Sequence, residues 1–293
     1  MKTFILYNPL SGHGKALEKA NEIVKLYEDA EIIDITKIDD THAFLLDITA
    51  EDKLVICGGD GTLNRFVYET EGIDIPCEVL YCATGTGNDF LKDIGKSADD
   101  APFRVNEYIA DLPVVEVNGK KYRFLNGVGF GIDGYCCEVG DKLKAADPEK
   151  PVNYTSIAIK GLLYDFKPKN ATVRVDGVEY KYPRVWIAAA MHGRYYGGGM
   201  NCAPDQDRLN TDGTNTLVVW YGSGKLKTLM NFPSIFKGEH ITHTDMIAVH
   251  KGHEIEVEFD KPCALQIDGE TFLNITGYKV TSSVPAKKEA EIN

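Results

Sequence analysis

In the first third of the chain, strand-like apolar runs end abruptly at glycine-bearing turns: TFILY at NPLSG, LVIC at GGDGTLN, and EVLYC just before TGTGND. Helical stripes follow them. Ala16, Leu17, Ala20, Ile23, Val24 and Tyr27 recur at helical spacing after the first turn, and Leu63, Phe66 and Val67 after the second. A further strand, EIIDI (Glu31 to Ile35), and a short helix around Phe44 and Leu45 lie between. Strands alternating with helices imply right-handed crossovers and a parallel sheet. In such a sheet the turns at the strand C-termini gather on one edge, where ligands bind. The glycine turns are therefore expected to face one cleft.

The first of them, NPLSGHGKA, has the layout of a Walker phosphate loop without its chemistry. That loop needs Gly, four residues, then Gly-Lys-Ser/Thr. Counting back from Gly14-Lys15, Pro9 holds the glycine position and Ala16 the hydroxyl position. Gly12 and Gly14 still permit a tight turn with inward amides, and a following helix would aim its positive end at an anion. Lys15 reads as the start of a solvated helix face.

After about Leu112 the texture changes to short β-branched and aromatic runs. Asn118-Gly119, Asp176-Gly177 and Asp268-Gly269 divide them as hairpin signals. This part reads as an antiparallel β-sandwich, with a helix or two between Lys142 and Phe166. The boundaries read as 1–112 for an α/β nucleotide domain and 113–282 for the β-domain, with the charged tail 283–293 fraying or returning to the first.

Composition limits the partners. The formal net charge of −12 disfavours a nucleic-acid backbone and a large basic membrane face. The apolar run at the N-terminus is cut by Asn8-Pro9 and is too short for a signal peptide, and Val185 to Met191 is strand-length. The seven cysteines form no C-x-x-C pair and read as small buried thiols. A cytoplasmic protein is expected, with peripheral contact to the inner membrane face allowed.

GGDGTLN is the sharpest chemical feature. Its glycines let backbone approach a ligand, Asp60 projects from a strand-to-helix turn, and Thr62 either caps the next helix or offers a hydroxyl to phosphate. With NPLSG and GTGND on the same edge, a phosphate cradle outweighs chance.

Taken in order and spacing, NPLSG, GGDGTLN and GTGND resemble the diacylglycerol kinase catalytic domain superfamily. That group includes bacterial lipid kinases and, more distantly, sphingosine, ceramide and NAD kinases. FLNGVGFG, YYGGGMNCAPDQDRLNTDG and LQIDGE extend the resemblance over nearly the whole chain. GGDGT alone is shared with NAD kinases and phosphofructokinases. The resemblance implies a nucleotide domain of NAD kinase/phosphofructokinase type, a C-terminal β-sandwich, ATP, Mg²⁺ and a lipid hydroxyl as acceptor. For the nucleotide it implies Asn8, Pro9, Ser11, Gly12, Gly58, Gly59, Asp60, Gly61, Thr62, Asn64 and Thr86, with Thr36 as a looser match. It also implies Asp60, Asp89 and Asp111 for catalytic Mg²⁺ through water, and Glu270 as base with Asp60 as rival. A structural Mg²⁺ is implied at Leu209, Asp212 and Thr214. After Asp212-Gly213, however, the chain reads Thr214-Asn215-Thr216-Leu217, which departs from the family pattern.

Physical chemistry suits these roles, since phosphoryl transfer needs positioning, charge neutralisation and a proton acceptor. Competing readings make Asp89 a helix N-cap, Asp111 a hinge carboxylate and Glu270 an exposed turn residue. His192 reads as a satisfied histidine and Arg194 as a surface arginine. Tyr164, Phe166, Tyr195 and Tyr196 read equally as an apolar mouth or as core. The expected function is an ATP- and Mg²⁺-dependent lipid kinase meeting its lipid alcohol transiently at a membrane surface, with a homodimer allowed. The alternatives are a kinase acting on a soluble alcohol such as NAD, and a nucleotide-binding regulator without turnover.

Overall fold

A computed structural model describes residues 1–84, 88–147, 150 and 152–283. The chain divides into two compact units, Met1–Asp111 and Leu112–Asn293.

In the first unit β1 (Thr3–Tyr7), β2 (Ala30–Asp34), β3 (Lys53–Gly58) and β4 (Glu78–Ala83) run parallel, and β5 (Phe103–Arg104) lies antiparallel beside β4. The order is β2-β1-β3-β4-β5. From β1 the chain steps outward to β2, then returns past β1 to β3. The winding therefore reverses between β1 and β3, which is where an open α/β sheet leaves a crevice. The apolar runs of β3 and β4 are buried on both sides, as parallel strands covered by helices must be. Ile5, Val55, Cys57, Leu80 and Cys82 pack against Ala20 and Ile23 of α1 (Lys15–Ile23). The remaining helices are α2 (Thr41–Leu46), α3 (Asp60–Glu69), α4 (Asp89–Ile94) and α5 (Asn106–Ile109).

The second unit is antiparallel. Its strands are β6 (Val114–Val117), β7 (Lys120–Arg123), β8 (Gly127–Gly131), β9 (Lys169–Val175), β10 (Val178–Val185), β11 (Ile187–Met191), β12 (Tyr195–Tyr196), β13 (Met200–Asn201), β14 (Asn215–Trp220), β15 (Ile247–Gly252), β16 (Glu254–Ile267) and β17 (Glu270–Thr281). The main path runs β15-β14-β11-β8-β16-β17-β6-β7, with β9 and β10 branching from β16. β16 joins the layers. Its first half pairs with β9, its second half with β8, and its register to β17 shifts between Glu258 and Cys263. A bulge of this kind bends a strand and lets it serve two faces. The three expected hairpin turns form, with positive φ at Asn118 and Gly119, Asp176 and Gly177, and Asp268 and Gly269.

Helices α6 (Ile132–Ala146) and α7 (Tyr154–Lys160), with a single π-turn at Gly161–Asp165, cover one sheet face, and α8 (Lys225–Asn231) follows β14. α6 begins ten residues earlier than the helical stretch read from Lys142, directly at the end of β8. Cys57, Cys77, Cys82 and Cys202 are buried free thiols, whereas Cys136, Cys137 and Cys263 are half-buried. Among the described residues no helix is long and apolar enough to cross a membrane.

Gly131 shows how tightly β8 is built. Its φ is +115°, and a methyl there would stand 2.2 Å from the Trp186 carbonyl oxygen. Backbone strain and overpacking together make Gly131→Ala cost about 3 kcal/mol or more. Thermal unfolding of that variant is expected to begin at least about 6 °C lower.

Candidate functional site

The three glycine turns at the C-terminal edge of the first unit bind one another through neutral groups. The amide of Asn8 donates to the Cys57 carbonyl at 3.2 Å, joining the end of β1 to β3. The Asn8 side chain accepts from Leu10 N at 3.0 Å and donates to Thr62 Oγ1 at 3.1 Å. Ser11 is the common contact. Its Oγ accepts from Gly59 N at 2.8 Å and meets Thr84 Oγ1 at 3.2 Å, so one hydroxyl touches both other turns. Asn8, Ser11, Gly59 and Thr62 are thus brought together across the crevice between β1 and β3.

The glycines divide the work. A methyl on Gly58 would stand 2.2 Å from Thr62 Oγ1, so Gly58 makes room for a side chain of its own turn. Gly59 is the N-cap of α3, with no side-chain cap bond, and Thr62 turns to Asn8 instead of capping the helix. A methyl on Gly61 would meet nothing within 4 Å, which leaves that amide face open to a ligand. Pro9 occupies the turn after β1, and Gly12 lies in the 3₁₀ turn Ser11–Gly14. Lys15 is exposed at the start of α1 and Asn64 is half-buried on α3. Thr36 follows β2 on the same edge, and its hydroxyl donates to Asp34 at 2.7 Å. Thr86 lies outside the described residues.

Asp60 and Asp89 open α3 and α4, where the helix dipole favours negative charge. The Asp89 amide donates to Asp60 Oδ2 at 2.7 Å, which holds the two acids side by side. The N-cap of α4 is Asn88, not Asp89. Its Oδ1 accepts from Leu91 N at 2.8 Å and its Nδ2 donates to the Tyr81 hydroxyl at 2.7 Å. Hard carboxylate oxygens held together at adjacent strand ends fit the donor set that Mg²⁺ takes. Asp111 is the exposed last residue of this unit.

In the second unit, Glu270 is exposed at the first position of β17. Asp268, two residues earlier, collects the amides of Leu125, Asn126 and Gly127 at 2.5, 2.8 and 3.0 Å. Arg208 is buried beside it and donates to the Leu125 carbonyl and to Asn126 Oδ1. Sequence reasoning missed this clamp, because Asp268 is already accounted for as a hairpin residue and Arg208 belongs to no motif. His192 is buried, with its amide donating to the Asn126 carbonyl. Arg194 stacks over Tyr195, and Gly197 to Gly199 take positive φ between β12 and β13. Phe166 and Tyr196 are core residues, while Tyr164 is exposed.

The loop expected to hold a structural Mg²⁺ does not fit one. The Thr214 carbonyl already accepts from Gln206 Nε2 at 3.0 Å and from Asn210 Nδ2 at 2.9 Å, which uses both lone pairs. Asp212 Oδ1 accepts the amide and hydroxyl of Thr214, which hold its carboxyl below the usual range. Leu209 lies beside them, with its amide donating to Asp207. Gln206 is buried and its Oε1 accepts from Thr216 Oγ1 at 2.6 Å, so side-chain amides do the tying expected of a cation. Melting curves with and without EDTA are therefore expected to coincide. Gln206→Ala, which strips buried hydrogen bonds worth about 1–3 kcal/mol, is expected to lower Tm by several degrees.

Comparison with known proteins gives the family. Residues 2–111 match the diacylglycerol kinase catalytic domain, and residues 126–285 match the YegS C-terminal NAD kinase beta sandwich-like domain. The chain is 27% identical to a diacylglycerol kinase of Mycobacterium tuberculosis over 270 residues, covering 88% of this chain and 85% of that protein. It is 25% identical to a diacylglycerol kinase of Bacillus subtilis over 307 residues, covering 98% and 97%. The crystal structure of a diacylglycerol kinase from Bacillus anthracis matches the fold with a TM-score of 0.61 at 17% identity, over 96% of this chain and 94% of that one. With its two domains matched in order along its length, the chain belongs to the diacylglycerol kinase family of lipid kinases.

Proposed function

We propose that this lipid kinase transfers the γ-phosphate of ATP to the hydroxyl of a diacylglycerol-type lipid alcohol, with Mg²⁺, during transient contact with a membrane surface. The observation that carries the reading is the Ser11 hydroxyl joined at once to the GGDG turn and to Thr84 before the GTGND turn. This contact fixes backbone amides around one crevice without placing a negative charge in it. Phosphates are bound in that setting by N–H groups and by helix N-termini. Asp60 and Asp89 would hold Mg²⁺ through water, with Asp111 as a further acid. Bound there, the cation would neutralise charge on the transferring phosphate.

Positioning falls to the neutral turn residues. Asn8 and Thr62 keep the first two turns in register, and the open face at Gly61 admits the nucleotide. Glu270, unencumbered at the start of β17 and held by the Asp268 clamp, takes the acceptor hydroxyl's proton. Asp60 is the rival base, and the two assignments separate by mutation.

Labelled ATP and Mg²⁺ with mixed micelles of diacylglycerol are expected to yield a labelled lipid, whereas NAD in place of lipid is expected to yield none. Glu270→Gln should lower turnover at least about a hundredfold. Full activity in that variant would move the base to Asp60. Ser11→Ala should raise KM for ATP, while Lys15→Ala should leave it unchanged. Nucleotide binding without a labelled product across a broad lipid panel would instead make the chain a regulator.

A further inference from the structure

β8 reads GVGFG, with Gly127, Gly129 and Gly131 at alternate positions and hence on one face. Val128 and Phe130 point the other way, into the sandwich core. Over Gly129 two polar side chains converge. A methyl on that glycine would stand 1.7 Å from Asp133 Oδ2 and 2.9 Å from Gln266 Nε2. The Tyr196 phenol lies against the same carboxyl. Asp133, Gln266 and Tyr196 are 7%, 4% and 4% exposed. Within the described structure, neither Asp133 oxygen, nor Gln266 Nε2, nor the Tyr196 oxygen makes a hydrogen bond of good distance and angle, although the Tyr196 phenol and the Gly134 amide stand near the carboxyl.

Each buried group left in this way costs about 1–3 kcal/mol, so a cluster of them marks a seat for a ligand group. Burial also pushes the Asp133 carboxyl up to about 7, so a partner that donates to it would bring it back towards the ionised form. The set comprises an acceptor, a donor and an ambivalent hydroxyl. A group that both donates and accepts, such as a hydroxyl, satisfies all three. An ester carbonyl, which only accepts, leaves the carboxylate unanswered.

The seat lies in line with the reaction. Gln266 Oε1 accepts from Gly269 N at 2.8 Å, the residue before Glu270. In the other direction along the same strands, Gly131 and Ala264 line a cavity of about 940 Å³ whose walls mix Phe166 and Leu273 with the charged Glu138, Lys169 and Arg184. Gly131 and Ala264 are each two residues from Gly129 and Gln266, on the same sheet face. The order along the glycine face is therefore base, polar seat, then a cavity whose lining mixes apolar and charged side chains.

We propose that Asp133, Tyr196 and Gln266 seat the headgroup of a lipid acceptor bearing a second hydrogen-bond donor beside the hydroxyl that is phosphorylated. The inference rests on the kinase reading above but moves the favoured acceptor from a diacylglycerol to a lipid alcohol with a second free donor. Monoacylglycerol and diacylglycerol with the same acyl chain differ by that second hydroxyl. The wild-type chain is expected to favour monoacylglycerol in kcat/KM by about tenfold or more, the scale of one well-placed hydrogen bond. Asp133→Asn should erase the preference while leaving KM for ATP unchanged. Tyr196→Phe, which removes one atom and preserves packing, should reduce the preference if Asp133→Asn fails to fold. A wild-type preference for diacylglycerol, or variants that retain the wild-type ratio, would overturn the inference alone. Turnover of neither lipid would overturn the kinase reading and this inference with it.

Discussion

The second unit hangs on the carboxylate of Asp268. Its backbone makes the tight turn between β16 and β17, with φ at +48°. Its side chain meanwhile receives the first three amides of the segment leading into β8. Burial drives that carboxyl up, while the three N–H groups and the neighbouring Arg208 guanidinium pull it back. A buried charge is tolerable only under such bonding. The reward is register. β8 carries glycine at every second position and has little side-chain packing of its own on that face, which specifies strand register weakly. Asp268 pins it, and with it Gln266, Gly129 and the hairpin that presents Glu270.

The first unit solves the corresponding problem without charge. Its turns are held by the Ser11, Thr62 and Thr84 hydroxyls and the Asn8 amide. The turns are joined through neutral groups, while Asp60 and Asp89 stand beside them at the starts of α3 and α4.

Much of this was legible in the sequence. The parallel strands fall where apolar runs meet glycine turns, and the Asn-Gly and Asp-Gly hairpins form where positive φ was demanded. Other features were not. Gly58 reads as making space for a ligand, yet it makes space for Thr62. Thr62 reads as a helix cap or a hydroxyl for phosphate, and the structure adds a bond from Asn8, which is remote in sequence. α6 starts at Ile132 because β8 runs straight into it, a boundary with no side-chain cap to announce it. The loop at Asp212 reads as a departure from the family pattern, and only the structure shows Gln206 and Asn210 donating to its Thr214 carbonyl.

What the sequence determined by itself was the order of elements, the sites of the turns and the residue types that stand in them. These follow from backbone preferences and periodicities that act within a few residues. The tertiary structure alone decided which turn touches which, which acid is clamped and which is exposed, and which polar atoms are left waiting over Gly129. Those depend on contacts between residues far apart in the chain, such as Asp268 with Leu125 or Ser11 with Thr84, where no local preference points to the partner.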